Sequence, residues 1–216
     1  MDTPRSQRTP TVVAGGRVLN VFTGELDDVD VVIERGRIAA IVPRGQVDGT
    51  GWDVIDATDR VIVPGYVEPH AHLALLAEPV QTLSLMAATG TTTVVADTYP
   101  FMKTLSDDEF MDVLDQFQSL SVDVRWFLAP HARSFVDNED ELFSVARLEK
   151  LLPREDVVAI GEFTRWPQVA AGDTDLLEKI ARARAWGKRV EGHGAGASLK
   201  RLQALVRNGV TSDHEA

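Results

Sequence analysis

The sequence predicts an α/β protein: a parallel barrel of the TIM type, present here as six βα-type strands, preceded by a small β-sandwich-like domain. Three observations carry this. From Gly65 onward, short apolar strand-like runs alternate with helical stretches, which is the rhythm of parallel βαβ units. From 11 to 64 the text is β in character throughout, Val- and Ile-rich runs broken by glycines. All five histidines stand at or just past the end of a strand-like run, where parallel barrels build their sites.

In order along the chain, residues 1–10 are polar, contain two prolines and read as a loose arm. Over 11–64, TVVAGGRVLNV, DVDVVIERGRIAAIVPRG and DVIDATDRVIVPG predict a sheet of hairpins, with turns at Gly15-Gly16, Thr23-Gly24, Arg35-Gly36 and Asp48-Gly49. Such a sheet is too thin to be stable alone. Over 65–216, YVEPHAHL is the first strand, with a helix over Pro79–Thr89. TTTVVAD is the second, with a helix over Ser106–Leu120 whose Ser106, Asp107, Asp108 and Glu109 suit an N-terminus. VDVRWFLAPH and a helix over Glu139–Leu152 follow. VVAIGEF comes next, with a helix over Thr174–Trp186 that Gly187 stops. RVEGHG is the fifth strand, before a helix over Ser198–Asn208, and VTSDHEA is the sixth. An open doubly wound sheet is the competing fold. It gathers its ligand at one switch point, whereas here residues from five strands have to converge, which favours closure. A whole barrel takes about 250 residues. This barrel therefore reads as truncated after strand six, with an edge that a further segment or a partner copy would close; alone it is expected to be poorly active and aggregation-prone.

Composition removes several classes of function. The apolar fraction of 44% and charged fraction of 25% are those of an ordinary globular protein. A net charge of -11 without a run of Lys or Arg argues against nucleic acid as partner. With no cysteine, any metal must be held by imidazole and carboxylate. MDTPRSQRTPTVV lacks the apolar core of a signal peptide, and no window approaches a membrane span, so a cytoplasmic protein without membrane attachment is expected.

The chemistry concentrates in VIVPGYVEPHAHL. Side chains alternate across a strand, so His70 and His72 point to one face and can hold one metal ion, with Glu68 on that face too. Glu162 follows Ala-Ile-Gly at the end of an apolar strand, where a carboxylate is costly unless paired or metal-bound. VPGYVEPHAH resembles the opening signature of the amidohydrolase superfamily. GTTTVVAD, AIGEF with a proline shortly after, VEGHGAG and GVTSDHEA look like the corresponding blocks of bacterial adenine deaminases, in order. The resemblance runs from about Val12 to the last residue. It implies a metal-dependent hydrolase with two divalent cations, Mn, Fe or Zn: His70 and His72 on the more buried metal, Glu162 bridging, His193 and His214 on the second. A metal-bound hydroxide would hydrolyse a C–N bond, releasing ammonia from a purine or related cyclic amidine.

The chain departs from that pattern in two places. The aspartate that moves the proton at the end of strand eight has no counterpart, and Asp213, beside His214, points to the opposite face of a regular strand. The catalytic acid/base is thus unassigned. Second, the polar residues that follow the His-x-His pair in adenine deaminases are replaced by LALLA at 73–77, and those after strand two by Asp97, Thr98, Tyr99 and Pro100. Two other readings follow from these departures: an amidase, cyclic imidase or esterase of the same superfamily, and a non-catalytic fragment or subunit. His131 and Arg133 in LAPHARS, with Asp97 and Arg165, are candidates for substrate contact. Gly192, Gly194 and Gly196 lack a P-loop lysine and suit close backbone approach instead.

Overall fold

The computed structural model describes residues 9–215, apart from the side chain of Leu76; most of the arm expected over 1–10 lies outside the described residues. The chain forms two compact units, Met1–Pro64 and Gly65–Ala216.

The first unit contains β1 (Thr11–Ala14), β2 (Arg17–Leu19), β3 (Leu26–Asp27), β4 (Val29–Glu34), β5 (Arg37–Pro43), β6 (Asp53–Asp56) and β7 (Val61–Ile62). They make two sheets rather than the single run of hairpins expected. One has the order β5-β4-β1-β6 and the other β3-β2-β7. The departure lies in β6 and β7, which pair parallel with β1 and β2 respectively. Val12, Val31 and Val32 are buried. Buried Asp30 accepts hydrogen bonds from the backbone N–H of Gly15 and of Gly45, tying two turns to β4.

The second unit is built on one six-stranded parallel sheet: β8 (Tyr66–Ala71), β9 (Thr91–Asp97), β10 (Asp123–Leu128), β11 (Val157–Phe163), β12 (Arg189–Gly192) and β13 (Ser212–Asp213), adjacent in chain order. Pro69 is tolerated within β8 because β8 is an edge of this sheet. The connections carry α1 (Leu73–Leu76), α2 (Pro79–Ala88), α3 (Tyr99–Thr104), α4 (Asp107–Phe117), α5 (Glu139–Leu142), α6 (Val145–Leu151), α7 (Trp166–Ala171), α8 (Thr174–Ala185) and α9 (Leu199–Arg207). Flat, six strands would hold β8 and β13 about 24 Å apart at the usual strand spacing. The rings of His70 and His214, at the ends of those two strands, lie 3.8 Å apart. The sheet is therefore rolled, as six consecutive strands of a TIM-type barrel are.

The core lies between sheet and helices. Helix α4 begins at a capping box formed by Ser106 and Glu109, and its inner face presents Phe110, Leu114 and Phe117 at helical spacing. Trp126 of β10 meets Phe117 edge-on at 5.1 Å and Phe101 of α3 at 5.9 Å. The helix expected over Glu139–Leu152 is two helices. Phe143 is fully buried between them, and Ser144 restarts the chain as an N-cap accepting from the Arg147 N–H. Arg147 staples this corner: it bonds Asp107 and the carbonyls of Met102, Leu105 and Leu142.

Candidate metal centre

The site sits where the strands of the second unit end. Alternation along β8 brings His70 and His72 together, with their Nε2 atoms 3.2 Å apart. Each outer nitrogen faces a carboxylate. His72 Nδ1 is 2.9 Å from Asp97 at the end of β9, and His70 Nδ1 is 2.9 Å from Glu191 in β12. The His70 ring is fixed between two others, stacking on Phe127 of β10 at 4.9 Å and on His214 at 3.8 Å.

Glu162, 4% exposed near the end of β11, stands at the middle of the cluster. Its Oε2 is 3.2 Å from His70 Nε2 and 3.7 Å from His72 Nε2. On the other side, its Oε1 is 3.4 Å from His193 Nδ1 and its Oε2 is 3.6 Å from His214 Nε2. His193 Nδ1 and His214 Nε2 are themselves 3.2 Å apart. One carboxylate is thus shared by two imidazole pairs, and each trio, His70–His72–Glu162 and Glu162–His193–His214, has its ligand atoms within 4.8 Å of one another.

The electrostatics favour positive charge at this point. Burial alone would raise Glu162, but the His70 hydrogen bond and the charges of Arg133, His193 and His70 prevail and hold its carboxyl down at about 2. Burial likewise opposes charging His70, yet hydrogen bonds and charge from Glu162 and Glu191 lift it to about 9. The outer nitrogens of His70 and His72 face Glu191 and Asp97, and their inner nitrogens face each other and the Glu162 carboxylate. Imidazole nitrogens and a carboxylate converging in this way fit a metal cation between them, and they offer it nitrogen and oxygen with no sulfur.

The five expected ligands, His70, His72, Glu162, His193 and His214, are brought together. The substrate-contact candidates are placed differently. Asp97 is 1% exposed; it accepts from His72, from Arg133 at 2.6 Å and from the Tyr99 N–H, and so has no open face toward a substrate. His131, also 1% exposed, is directed at the Ala132 carbonyl and the Arg165 N–H, and burial lowers it to about 4. Arg165 pairs with Glu139 at 2.6 Å. Arg133 alone stays at the centre: its guanidinium binds Asp97, lies 3.9 Å from Glu162 and covers the Tyr99 ring at 5.0 Å. Asp213 turns away from the imidazoles, accepting from the backbone N–H of Gly194 and Glu215. A Cβ on Gly192 or Gly194 would lie 2.7 or 3.0 Å from that carboxylate, so these glycines admit Asp213 rather than a phosphate.

Sequence reasoning missed Glu191 and Phe127. The signal for Glu191 was present, since it stands two residues before His193, the same spacing that pairs His70 with His72. Phe127 gave none, being one apolar residue within an apolar strand.

The family model described as "Amidohydrolase family" matches residues 61–216. A putative adenine deaminase of Oceanobacillus iheyensis is 33% identical over 198 residues, 92% of this chain and 34% of the relative. A putative adenine deaminase of Halalkalibacterium halodurans is 33% identical over 216 residues, 98% of this chain and 37% of the relative. The chain thus spans about a third of the length of these curated relatives. Among solved structures, the N-acyl-D-glutamate deacylase of Bordetella bronchiseptica, in complex with zinc and a phosphonate inhibitor, superposes with a TM-score of 0.68 at 18% identity. The match covers 95% of this chain and 51% of that one. A rolled parallel sheet with histidines and a shared carboxylate at its strand ends defines a class of metal-dependent hydrolases. Within that class, the chain belongs to the amidohydrolase family.

Proposed function

We propose that the centre holds two divalent cations, Mn, Fe or Zn, and serves the hydrolytic removal of ammonia from a purine or related cyclic amidine. His70 and His72 would hold one cation, His193 and His214 the other, and Glu162 both. The observation that carries this is the placement of the Glu162 carboxylate between two imidazole pairs. When bound, such cations supply a Lewis acid and a water that ionises near neutral pH. Within the chain, Asp97 and Glu191 orient the imidazoles, and the His70 hydrogen bond together with the Arg133 charge keeps Glu162 ionised. The adenine deaminase relatives support deamination of a small-molecule substrate as the reaction; a cytoplasmic setting is our reading of the sequence. Among the described residues, no helix is long and apolar enough to cross a membrane.

The same reading divides the chain into a β-sandwich-like domain over 11–64 and the hydrolase barrel over 65–216. A second reaction, hydrolysis of an amide, cyclic imide or ester at the same cations, is favoured by LALLA at 73–77, where Leu73 is buried.

Metal analysis of the purified 216-residue chain tests the centre. Two equivalents are expected, falling to one or none in Glu162→Ala and His193→Ala; unchanged content in the variants would reject the ligand set. Ammonia release from a purine panel, set against turnover of acyl compounds, separates the two reactions.

A further inference from the structure

We propose that Glu191 is a positioning residue that sets the ligands of both halves of the centre at once; this rests on the metal-centre reading above. Glu191 is 8% exposed at the end of β12, and among the described residues its ion-pair partners are imidazoles, not Arg or Lys. Its Oε1 lies 2.9 Å from His70 Nδ1 and 3.4 Å from His214 Nδ1. His214 Nδ1 is buried and, among the described residues, has no hydrogen-bond partner of its own. The two rings stack at 3.8 Å with 23° between their planes, so both Nδ1 edges are turned to that one oxygen.

The consequence is a matter of tautomers. When Glu191 accepts from Nδ1–H of His70, the neutral ring that binds a metal carries its lone pair on Nε2, the atom facing Glu162 and His72. The same oxygen, 3.4 Å from His214 Nδ1, is placed to accept from that nitrogen as well, which would leave the Nε2 lone pair of His214 facing Glu162 and His193. His70 belongs to the trio with His72 and Glu162, His214 to the trio with Glu162 and His193, and the two rings meet again around Glu191 in a third group. Asp97 differs: among the four imidazoles it serves only His72, and it shares its charge with Arg133.

The neighbouring strand is shaped to admit Glu191. A Cβ on Gly161 would lie 2.7 Å from the Glu191 Cβ and 2.8 Å from its carbonyl oxygen. Glycine before Glu162 therefore lets β11 approach β12 closely enough for both carboxylates to meet the same ring of imidazoles.

Calorimetric titration of Mn into the metal-free 216-residue chain tests the proposal. Outer partners of metal-bound histidines are typically worth about 10- to 100-fold in affinity. Glu191→Leu is expected to weaken both equivalents by that factor, and Asp97→Asn only one. Glu191→Gln, whose amide oxygen still accepts from Nδ1–H, is expected to recover most of the loss. Two equivalents at wild-type affinity in Glu191→Leu, or weakening of one alone, would overturn the proposal. Circular dichroism shows whether each variant folds.

A metal-free readout separates this inference from the reading beneath it. The downfield Nδ1–H proton resonance of His70 is expected in the wild type and Glu191→Gln and absent in Glu191→Leu; its persistence in Glu191→Leu would refute the contact. A wild-type chain that shows this resonance but binds no Mn would sink the metal centre and leave the hydrogen bond standing.

Discussion

Two neighbouring residues of β10 point in opposite directions and belong to different parts of the protein. Trp126 faces the helices and is enclosed by Phe101 and Phe117; Phe127 faces the inside of the rolled sheet and stacks on His70. The helix-facing side is apolar and packed, and burial there stabilises the fold by roughly 25 cal/mol per Å². The inner side, at the strand ends, gathers four imidazoles and the carboxylates of Glu162, Glu191 and Asp97, groups whose desolvation costs free energy unless each is paired. Stability and chemistry are thus assigned to opposite faces of one sheet. Substitutions on the two faces should have opposite signatures.

The sharpest break in that comparison comes from exchanging the two kinds of change. Glu162→Ala and His193→Ala should abolish one or both metal equivalents while the metal-free chain keeps its far-UV circular dichroism. Trp126→Ala should cost about 3–5 kcal/mol in denaturant unfolding, as large-to-small changes in packed cores do, while two equivalents still bind below the transition. A Trp126→Ala chain that stayed folded but lost its metal would show that the faces are not separable.

The division was legible in the sequence for physical reasons that vary by residue. His70 and His72 declared themselves through strand periodicity, because side chains two apart share a face. His193 and His214 are each a lone histidine in their segment, so only the ordered motifs linked them to the first pair. Helices over 79–88 and 107–117 follow from caps and apolar spacing. The short helices at 99–104 and 166–171 went unforeseen, although Pro100 and Pro167 stand in their first turns, where proline is at home. The break at Phe143 was hidden because an apolar residue continues the helical pattern; Ser144, a good N-cap, was its one trace. The parallel pairings of β6 and β7 were invisible, since alternation reveals a strand and not its neighbour.

A smaller effect sharpens the comparison on the helix side. Arg147 is a buried charge, yet its guanidinium is matched to Asp107 and three carbonyls at the ends of α3 and α5. Arg147→Ala leaves these acceptors without a donor, and should destabilise by about 2–4 kcal/mol in urea unfolding with metal content unchanged. A loss under about 0.5 kcal/mol, the size of an ordinary surface substitution, would mean that the corner relaxes onto water.

His131 tests the boundary between the faces. It is buried beside Phe163, with ring centroids 6.1 Å apart, and one residue before Phe163 is Glu162. Burial lowers its pKa to about 4 from an ordinary 6.5, with the nearby Arg165 charge adding to the effect. The folded chain therefore holds His131 neutral at pH values where the unfolded chain protonates it. Its contribution is complete above pH 6.5 and is lost as the pH falls towards 4, at a slope of roughly 1.4 kcal/mol per pH unit inside that window. Urea unfolding of the wild type and His131→Gln across pH 4–7 should show a steeper fall for the wild type. Parallel curves would mean that His131 is protonated in the folded protein, and that the charge gathered at the strand ends reaches further behind the sheet than the separation of its faces allows.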